Sequence, residues 1–387
     1  MDFGLANGDL CFEVLSRLQT KSLLELKLVS KQWGQLFSDL SFMQLHSQRA
    51  TPIISGFFFQ GRFQCCDDDI EDISYVPVDR GQIIVIRKNV LDFLPEKVVV
   101  MASSNGLICC RSCNTNKSFS AIYVCNPSSR QWVKLDWSRE DRGIGLALVP
   151  SGSSPEFRLV NLHRMPIEYQ NNDTLDYIYS FDIYSTRTGK WKTSEDMCLC
   201  KYNPAKNLGI YVSGILYWLT DGDGILAFDV ENEKSHLIKL PVHRNPFKEA
   251  PEGCIGEFDG QLYYITIKDT GMQVWILENY YESEWVLESC ISLDVMEQKN
   301  PDILYNAAKK MANPYDQNPW MDPLAFQDGL LLMKVCVTIV SYCLKTGRIK
   351  ELCTFHSLGP NTLINPIVMP YSMSLVPLHH HSMPTRD

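Results

Sequence analysis

Concentrated positive charge is missing from this chain of 387 residues. Its 36 Lys and Arg are outnumbered by 45 Asp and Glu, which gives a formal net charge of −9, and no basic cluster interrupts the sequence. Binding to a nucleic-acid backbone requires Lys and Arg concentrated on one surface. The composition therefore predicts that nucleic acid is not a partner.

Long apolar runs are missing as well. No run approaches the roughly eighteen residues that a membrane span requires, and the opening MDFGLANGDL has neither the basic region nor the apolar core of a secretory signal. We expect no membrane partner and a location in the cytoplasm, the nucleus or both. In those compartments the 14 cysteines are not expected to hold lasting disulfides.

Signatures of catalysis and of metal binding are also absent. The sequence contains no G-x-S-x-G elbow, no phosphate-binding glycine loop and no H-E-x-x-H pair. Its cysteines do not form the two C-x-x-C pairs of a four-cysteine structural zinc site. We therefore predict a protein that is not an enzyme, with no catalytic residue, no metal and no cofactor.

What the chain does contain, at its start, is a leucine-rich stretch with helical spacing. One stripe consists of Leu10, Val14, Leu15 and Leu18. Asp9, Ser22 and Ser41 stand where helix caps are expected, so residues 9–46 are predicted to form three short amphipathic helices. About forty residues rarely bury a sufficient core alone, so the surplus leucines predict a partner in this chain or another. By spacing alone, a helical extension packed on the rest of the chain fits equally well.

From about residue 52 the pattern changes to short apolar runs separated by turn residues, which is typical of an all-β domain. One recurring unit is a turn glycine that leads an apolar strand, at Gly106, Gly214, Gly260 and Gly329. A second unit is a strand, a polar turn and another strand, with Trp132, Trp191 and Trp285 in similar places after the turn. Repeats at roughly 45–60 residues predict a β-propeller of about six blades, and a β-sandwich with long loops is the competing fold.

Two polar segments with aromatic residues interrupt this pattern. Residues 163–178 include Tyr169, and residues 296–323 include Tyr305, Tyr315 and Trp320. Long connections in compact β domains are often functional, and exposed aromatic residues are favoured at binding interfaces. These four residues are candidates for binding a protein substrate. The alternative is that the two segments are solvated loops whose aromatic side chains pack back on the domain.

The leucine-rich stretch resembles the F-box, and many residues match that family at fixed spacing. The matches are Asp9, Leu10, Glu13, Val14, Leu15, Arg17, Leu18, Lys21, Ser22, Leu23, Val29, Ser30, Lys31 and Trp33. The family's two prolines are replaced by Asn7 and Gln19, and its opening leucine by Ala6. The resemblance implies a helical module that binds a Skp-family adaptor. The implied contacts are Asp9, Leu10, Val14, Leu15, Leu18, Leu23, Val29 and Trp33.

The remainder resembles the F-box-associated domain of plant F-box proteins, through runs such as SSNGLICCR, AIYVCNPSSRQWVKL and MPYSMSLVPL. The resemblance implies a small all-α F-box module at residues 1–50 and an all-β, kelch-like β-propeller at 51–378. The residues that follow, 379–387, are expected to form a disordered tail. In that family the last strand often pairs with the first blade, a role that falls here to residues 366–377.

The function implied by the resemblance is substrate recognition in an SCF-type ubiquitin ligase. The F-box would bind the Skp-family adaptor and, through it, a cullin, while the propeller would bind an unidentified protein substrate. Two alternatives stay open. One is a propeller with a glycan-binding or enzymatic role, whose helical segment only packs internally. The other is an F-box protein that acts outside ubiquitination.

Overall fold

The computed structural model describes residues 5–50, 53–61, 73–78, 86–88, 90–112, 121–136, 145–150, 156–167, 176–204, 209–242, 253–312, 320–359 and 366–378. Two of the candidate substrate-binding residues, Tyr169 and Tyr315, lie outside these ranges, as does the segment 379–387. Among the helices in the described ranges, none has both the length and the apolar composition needed to cross a membrane.

The N-terminal module contains four helices where the spacing predicted three. They are α1 (Leu5–Leu15), α2 (Thr20–Lys27), α3 (Lys31–Leu36) and α4 (Leu40–Arg49). The second helix, which was expected to begin at Ser22, is interrupted at Ser30. The backbone of Ser30 is extended and its hydroxyl accepts the N–H of Trp33, which starts a new helix.

The helix starts also differ from those expected. Asp9 lies inside α1, and α2 begins after Gln19, so Ser22 is within the helix. The cap of α4 is Asp39, not Ser41, because the Asp39 carboxylate accepts the N–H groups of Ser41 and Phe42 at 3.0 and 3.1 Å. An aspartate directly before a helix satisfies donors that have no partner within the helix.

The β domain is built from 24 strands in the described ranges, which form six four-stranded units. Blade 1 contains β1 (Ile54–Gln60), β2 (Ile73–Pro77), β3 (Arg87–Lys88) and, from the far end of the chain, β24 (Ile367–Ser372). Blade 2 contains β4 (Val98–Ser104), β5 (Leu107–Ser112), β6 (Ala121–Asn126) and β7 (Gln131–Asp136). Blade 3 contains β8 (Gly145–Pro150), β9 (Phe157–Ile167), β10 (Asp176–Ser185) and β11 (Lys190–Cys200).

The second half of the domain continues this order. Blade 4 contains β12 (Ile210–Val212), β13 (Ile215–Leu219), β14 (Gly224–Asp229) and β15 (Lys234–Lys239). Blade 5 contains β16 (Gly253–Phe258), β17 (Gln261–Lys268), β18 (Gly271–Asn279) and β19 (Glu284–Ile291). Blade 6 contains β20 (Met321–Gln327), β21 (Leu330–Val335), β22 (Thr338–Cys343) and β23 (Arg348–Thr354).

The six blades close into a ring, which confirms the propeller prediction and rejects the sandwich. The inner strands β24, β4, β8, β12, β16 and β20 contact one another in that order, and β20 contacts β24. Closure depends on β24, which pairs antiparallel with β1 from Ile54↔Ser372 to Gln60↔Ile367. The C-terminal strand therefore completes the first blade, as expected, although only Ile367–Ser372 of the expected segment 366–377 form the strand.

Blades 5 and 6 are joined more closely than the others. Their inner strands β16 and β20 pair in parallel, with Gly256 opposite Phe326, and together they form one eight-stranded sheet. The blades separate toward the outside, and two helices, α5 (Leu293–Lys299) and α6 (Ala307–Met311), fill the space between them. The remaining helix, α7 (Phe355–Leu358), follows β23.

The two faces of the ring differ in their connections. On the first, which we call the hairpin face, tight two-residue turns join the inner strand of a blade to the next strand. These turns are Asn105-Gly106, Ser213-Gly214, Asp259-Gly260 and Asp328-Gly329, each with positive φ at both residues. Such turns match the twist of a hairpin, which explains the repeated glycines. The outermost strand of each of blades 2 to 5 ends, and the inner strand of the following blade begins, at the opposite face.

The repeated tryptophans also have a common position. Trp132, Trp191 and Trp285 are each the second residue of an outermost strand. Each packs against a tyrosine of its own blade, with ring centroids 5.4 to 6.1 Å apart. They also pack against the apolar clusters between neighbouring blades, and the Trp285 indole N–H donates to the Lys239 carbonyl oxygen of blade 4 at 2.8 Å. Their role in this structure is therefore architectural.

Candidate interaction surfaces

The helical module exposes apolar side chains that its own core does not use. Val14 on α1 is 54% exposed, and Val29 between α2 and α3 is 72% exposed. Leu10 on α1 is exposed as well, and so is Leu28, which directly precedes Val29. Several exposed apolar residues on one small module are characteristic of a protein that binds a partner. We call Leu10, Val14, Leu28 and Val29 the module's apolar surface.

The other candidate adaptor contacts lie deeper in the module. Leu15 and Leu23 are buried and pack with Phe37, Phe42 and Met43. Leu18 and Trp33 are half-buried against the same core, and the Trp33 ring stacks on Phe37 at 5.7 Å. Asp9 is described only in its backbone, within α1. Leu28 is a surface residue that the sequence comparison left out, since it is not among the matching F-box positions.

Charged residues hold the module's first and last helices together. The Glu13 carboxylate on α1 accepts hydrogen bonds from Arg17 at 2.8 Å and from Arg49, at the end of α4, at 2.6 Å. The Arg17 bond, followed by the Arg49 bond, lowers the pKa of Glu13 below its usual value. Arg49 also donates to the Ser16 hydroxyl at 2.9 Å, so α4 is fixed across α1.

The long insertion between blades 5 and 6 is partly structural. Leu293, Met296, Leu304 and Ala307 are buried among the side chains of both blades. Tyr305, in contrast, is 67% exposed, and Trp320 is half-buried. The ammonium group of Lys310 lies 4.5 Å from the centroid of the Trp320 ring and 5.9 Å from that of Tyr305, so one cation contacts both rings.

A cavity of about 700 Å³ occupies the centre of the ring. Its lining is largely apolar, with side chains such as Leu219, Ile255, Phe326 and Val368 from different blades. Ile53 and Ser372 line the cavity at the hairpin face, close to where the chain enters and leaves the propeller. Volume and lining are within the range of small-molecule sites, although a propeller of this type encloses such a space by construction.

Carboxylates at the mouth of this cavity link neighbouring blades. Glu257 accepts hydrogen bonds from the Gly260 N–H at 2.9 Å and from the Gln327 amide of blade 6 at 2.7 Å. Asp328 accepts the N–H of Ile54, in blade 1, at 2.7 Å. These bonds run from blade 5 through blade 6 to blade 1, across the point where the ring closes.

Burial dominates the electrostatics of this pair. It raises the pKa of Glu257 and that of Asp328 above their usual values, and the hydrogen bonds that each carboxylate accepts oppose the shift. Because Glu257 and Asp328 bond to their own protein, their arrangement braces the ring. The sequence offered a signal for part of this arrangement, because Asp259 and Asp328 directly precede two of the repeated glycines.

Comparison with known families gives two matches. Residues 9–45 match the F-box domain. Residues 82–316, more than half of the chain, match the family described as F-box protein At3g26010-like, beta-propeller. The first match covers most of the helical module, and the second extends from blade 1 into the insertion before blade 6.

Individual relatives from Arabidopsis thaliana agree with these matches. F-box protein At5g49610 is 28% identical over 310 residues, which cover 76% of this chain and 81% of the relative. F-box protein At5g07610 is 24% identical over 371 residues, which cover 90% of this chain and 86% of the relative. The similarity therefore extends over both the helical module and the propeller.

Proposed function

The chain belongs to the F-box protein At3g26010-like β-propeller family and carries an N-terminal F-box, and from this membership we propose that it is the substrate-recognition subunit of an SCF-type ubiquitin ligase. The observation that carries the proposal is the module's apolar surface, which stays exposed while the module's own core is filled. A partner with a matching apolar surface, the Skp-family adaptor, would cover it and connect the chain to a cullin.

The proposed adaptor contacts divide into two groups by burial. Leu10, Val14 and Val29 are exposed and would contact the adaptor directly, together with Leu28. Leu15 and Leu23 are buried, so they would act by maintaining the module's shape. Leu18, Trp33 and Asp9 complete the proposed set, with the half-buried Leu18 and Trp33 at its border.

The proposed role of the propeller is to hold a protein substrate. Tyr305 and Trp320 belong to the connection between blades 5 and 6, and we keep Tyr169 and Tyr315 as further candidates on the basis of sequence. In this proposal the chain performs no chemistry. It keeps a substrate lysine near the charged conjugating enzyme, which raises the local concentration of the reacting groups.

Three further parts of the proposal rest on the same membership. We assign the propeller to the kelch-like class, and we propose that the chain acts in the cytoplasm, the nucleus or both. We also propose that it works without a cofactor. Its family membership favours this role over a glycan-binding or enzymatic propeller.

The test is co-purification of the full chain with a Skp-family adaptor. Val14→Asp and Val29→Asp place a charge on exposed positions, so we expect a folded protein with adaptor affinity reduced at least about tenfold. Leu199→Asp, at a 57% exposed position of blade 3, is the matched control and should bind normally. Leu15→Asp is unsuitable as a test, because a buried charge would unfold the module whatever its partner.

Two outcomes would overturn the proposal. One is a wild-type chain that does not co-purify with the adaptor. The other is equal adaptor binding by wild type, Val14→Asp and Val29→Asp. If the adaptor binds and yet no protein becomes more abundant when the chain is removed from plant cells, an F-box role outside ubiquitination is favoured.

A further inference from the structure

The segment that follows the last strand joins two parts of the molecule. We call Met373–Leu378 the C-terminal strap. It has no regular secondary structure, yet Ser374, Leu375, Val376, Pro377 and Leu378 are all buried. An irregular segment near the end of a chain is usually exposed, so burial of five of its six residues requires a specific set of contacts.

One strap residue belongs to the core of the helical module. Leu375 is 3% exposed and packs with Leu15, Leu23, Phe42 and other core residues of the module. It is the only residue outside 5–50 in this cluster, within the described part of the chain. More than 320 residues of sequence separate it from the module's last helix, and these residues form the whole propeller between them.

Its neighbours in the strap are fixed on the propeller. The Asn126 amide of blade 2 donates to the carbonyl oxygens of Ser374 and Val376, at 3.1 and 2.9 Å. The Leu378 N–H donates to the Gln131 side chain at 3.2 Å. The side chains of Val376 and Leu378 are buried in the cluster formed by blades 2 and 3.

The start of the strap is held at the hairpin face. The Met373 N–H donates to the Ser55 hydroxyl of β1 at 2.9 Å. The turn at Gly106 lies so close to the strap that a Cβ there would overlap the Ser374 side chain, so glycine is required by space as well as by its positive φ. The strap is thus anchored on both sides of Leu375.

We propose that the C-terminal strap completes the core of the helical module and holds the module at one fixed position over blade 2. The chain at residues 50–53 also joins the module to the propeller. About forty residues bury little apolar surface, so a leucine contributed from outside accounts for a substantial part of the module's stability. As a consequence that rests on the proposed function, the strap sets the separation between the bound adaptor and the substrate.

The claim that the strap completes the module's core is tested by hydrogen exchange, measured by mass spectrometry on the full chain without adaptor. Leu375→Ala should speed exchange in α1–α4 about tenfold or more while the amides of blades 4 and 5 keep their protection. Leu375→Met, which conserves volume, should remain close to wild type. The matched control is Val376→Ala in the same strap, whose effect should fall on blades 2 and 3. Unchanged exchange in the module of Leu375→Ala would overturn the proposal.

The claim that the strap holds the module at one fixed position is tested by a distance measurement. Two fluorophores are attached through noncanonical amino acids at the exposed positions Lys27 and Lys345, and energy transfer is recorded for single molecules. Wild type should give one narrow distribution, and a chain ending at Met373 should give a clearly broader one. Equal widths would refute fixed positioning. Neither readout involves the adaptor or ubiquitin, so a failure of the proposed function leaves this result interpretable, and the reverse also holds.

Discussion

At the scale of single residues, the two carboxylates at the ring closure have opposing effects on the stability of the folded chain. Glu257 and Asp328 form hydrogen bonds between blades, which favour the closed ring. Their partial burial penalises the charged form and raises the pKa of each carboxyl in the folded chain. A raised pKa means that the folded state holds these protons at pH values where the unfolded state has lost them.

The sign of the resulting pH dependence follows directly. As the pH rises from the usual carboxyl range of about 4 toward neutrality, these two groups contribute a progressive loss of stability. Asp328→Asn keeps an oxygen that accepts the Ile54 N–H and removes the charge. We expect the melting temperature of Asp328→Asn, relative to wild type, to increase over this pH interval. Thermal unfolding at a series of pH values measures the difference, and a difference that is constant or decreases with pH would contradict the prediction.

At the scale of elements, the pairing of β16 with β20 depends on a residue without a side chain. The inner strands of blades 5 and 6 approach closely enough to form parallel hydrogen bonds, and a Cβ at position 256 would overlap the Phe326 carbonyl oxygen. The helices α5 and α6 then fill the space that opens between the same two blades farther out. Blades 5 and 6 are therefore held together by strand pairing near the centre of the ring and by the packing of α5 and α6 farther out.

Gly256→Ala tests this arrangement. We expect a loss of about 1–3 kcal/mol in the free energy of unfolding, because both strands must move apart to accept the methyl group. Gly34→Ala is the comparison, since a Cβ there has no neighbour closer than 3.7 Å and alanine favours the helix α3. Denaturant unfolding of both variants supplies the measurement. A Gly256→Ala chain as stable as wild type would show that the pairing does not require this approach.

The sequence pattern predicted which helices and strands form more accurately than it predicted the residues at which they begin and end. The glycines that lead each hairpin and the tryptophans on the outer strands are set by local twist and by packing within one blade, so they are visible in the sequence. The break at Ser30 and the cap at Asp39 were missed, because several Ser and Asp residues nearby were equally suitable as caps. Leu375 was also missed, since no local pattern indicates which distant core a lone leucine joins.

At the scale of the whole molecule, the ring is closed by strands from both ends of the propeller chain. Without β24, the inner edge of β1 would expose unpaired N–H and C=O groups next to a buried apolar sheet. Closure therefore couples the stability of blade 1 to that of its neighbours. The resemblance to a known family predicted that the last strand pairs with the first blade. Periodicity alone predicted only the number of blades.

Two shortened chains separate the roles of the last residues. A chain ending at Leu378 should purify as a monomer and melt close to the full-length protein. A chain ending at Asn365 lacks β24, and we expect it to aggregate or to lose exchange protection in β1. Size-exclusion chromatography and thermal unfolding distinguish the two. Monomeric, cooperative behaviour of the Asn365 chain would show that β24 is dispensable for closure.

The insertion of Leu375 into the helical module has a consequence for synthesis. The module leaves the ribosome first, but the leucine in its core emerges about 325 residues later, roughly 15 to 65 s at ordinary rates of translation. During that interval the nascent module lacks part of its interior. On the proposed function, a product that stops early would carry an incomplete helical module and would bind the adaptor more weakly than the finished chain.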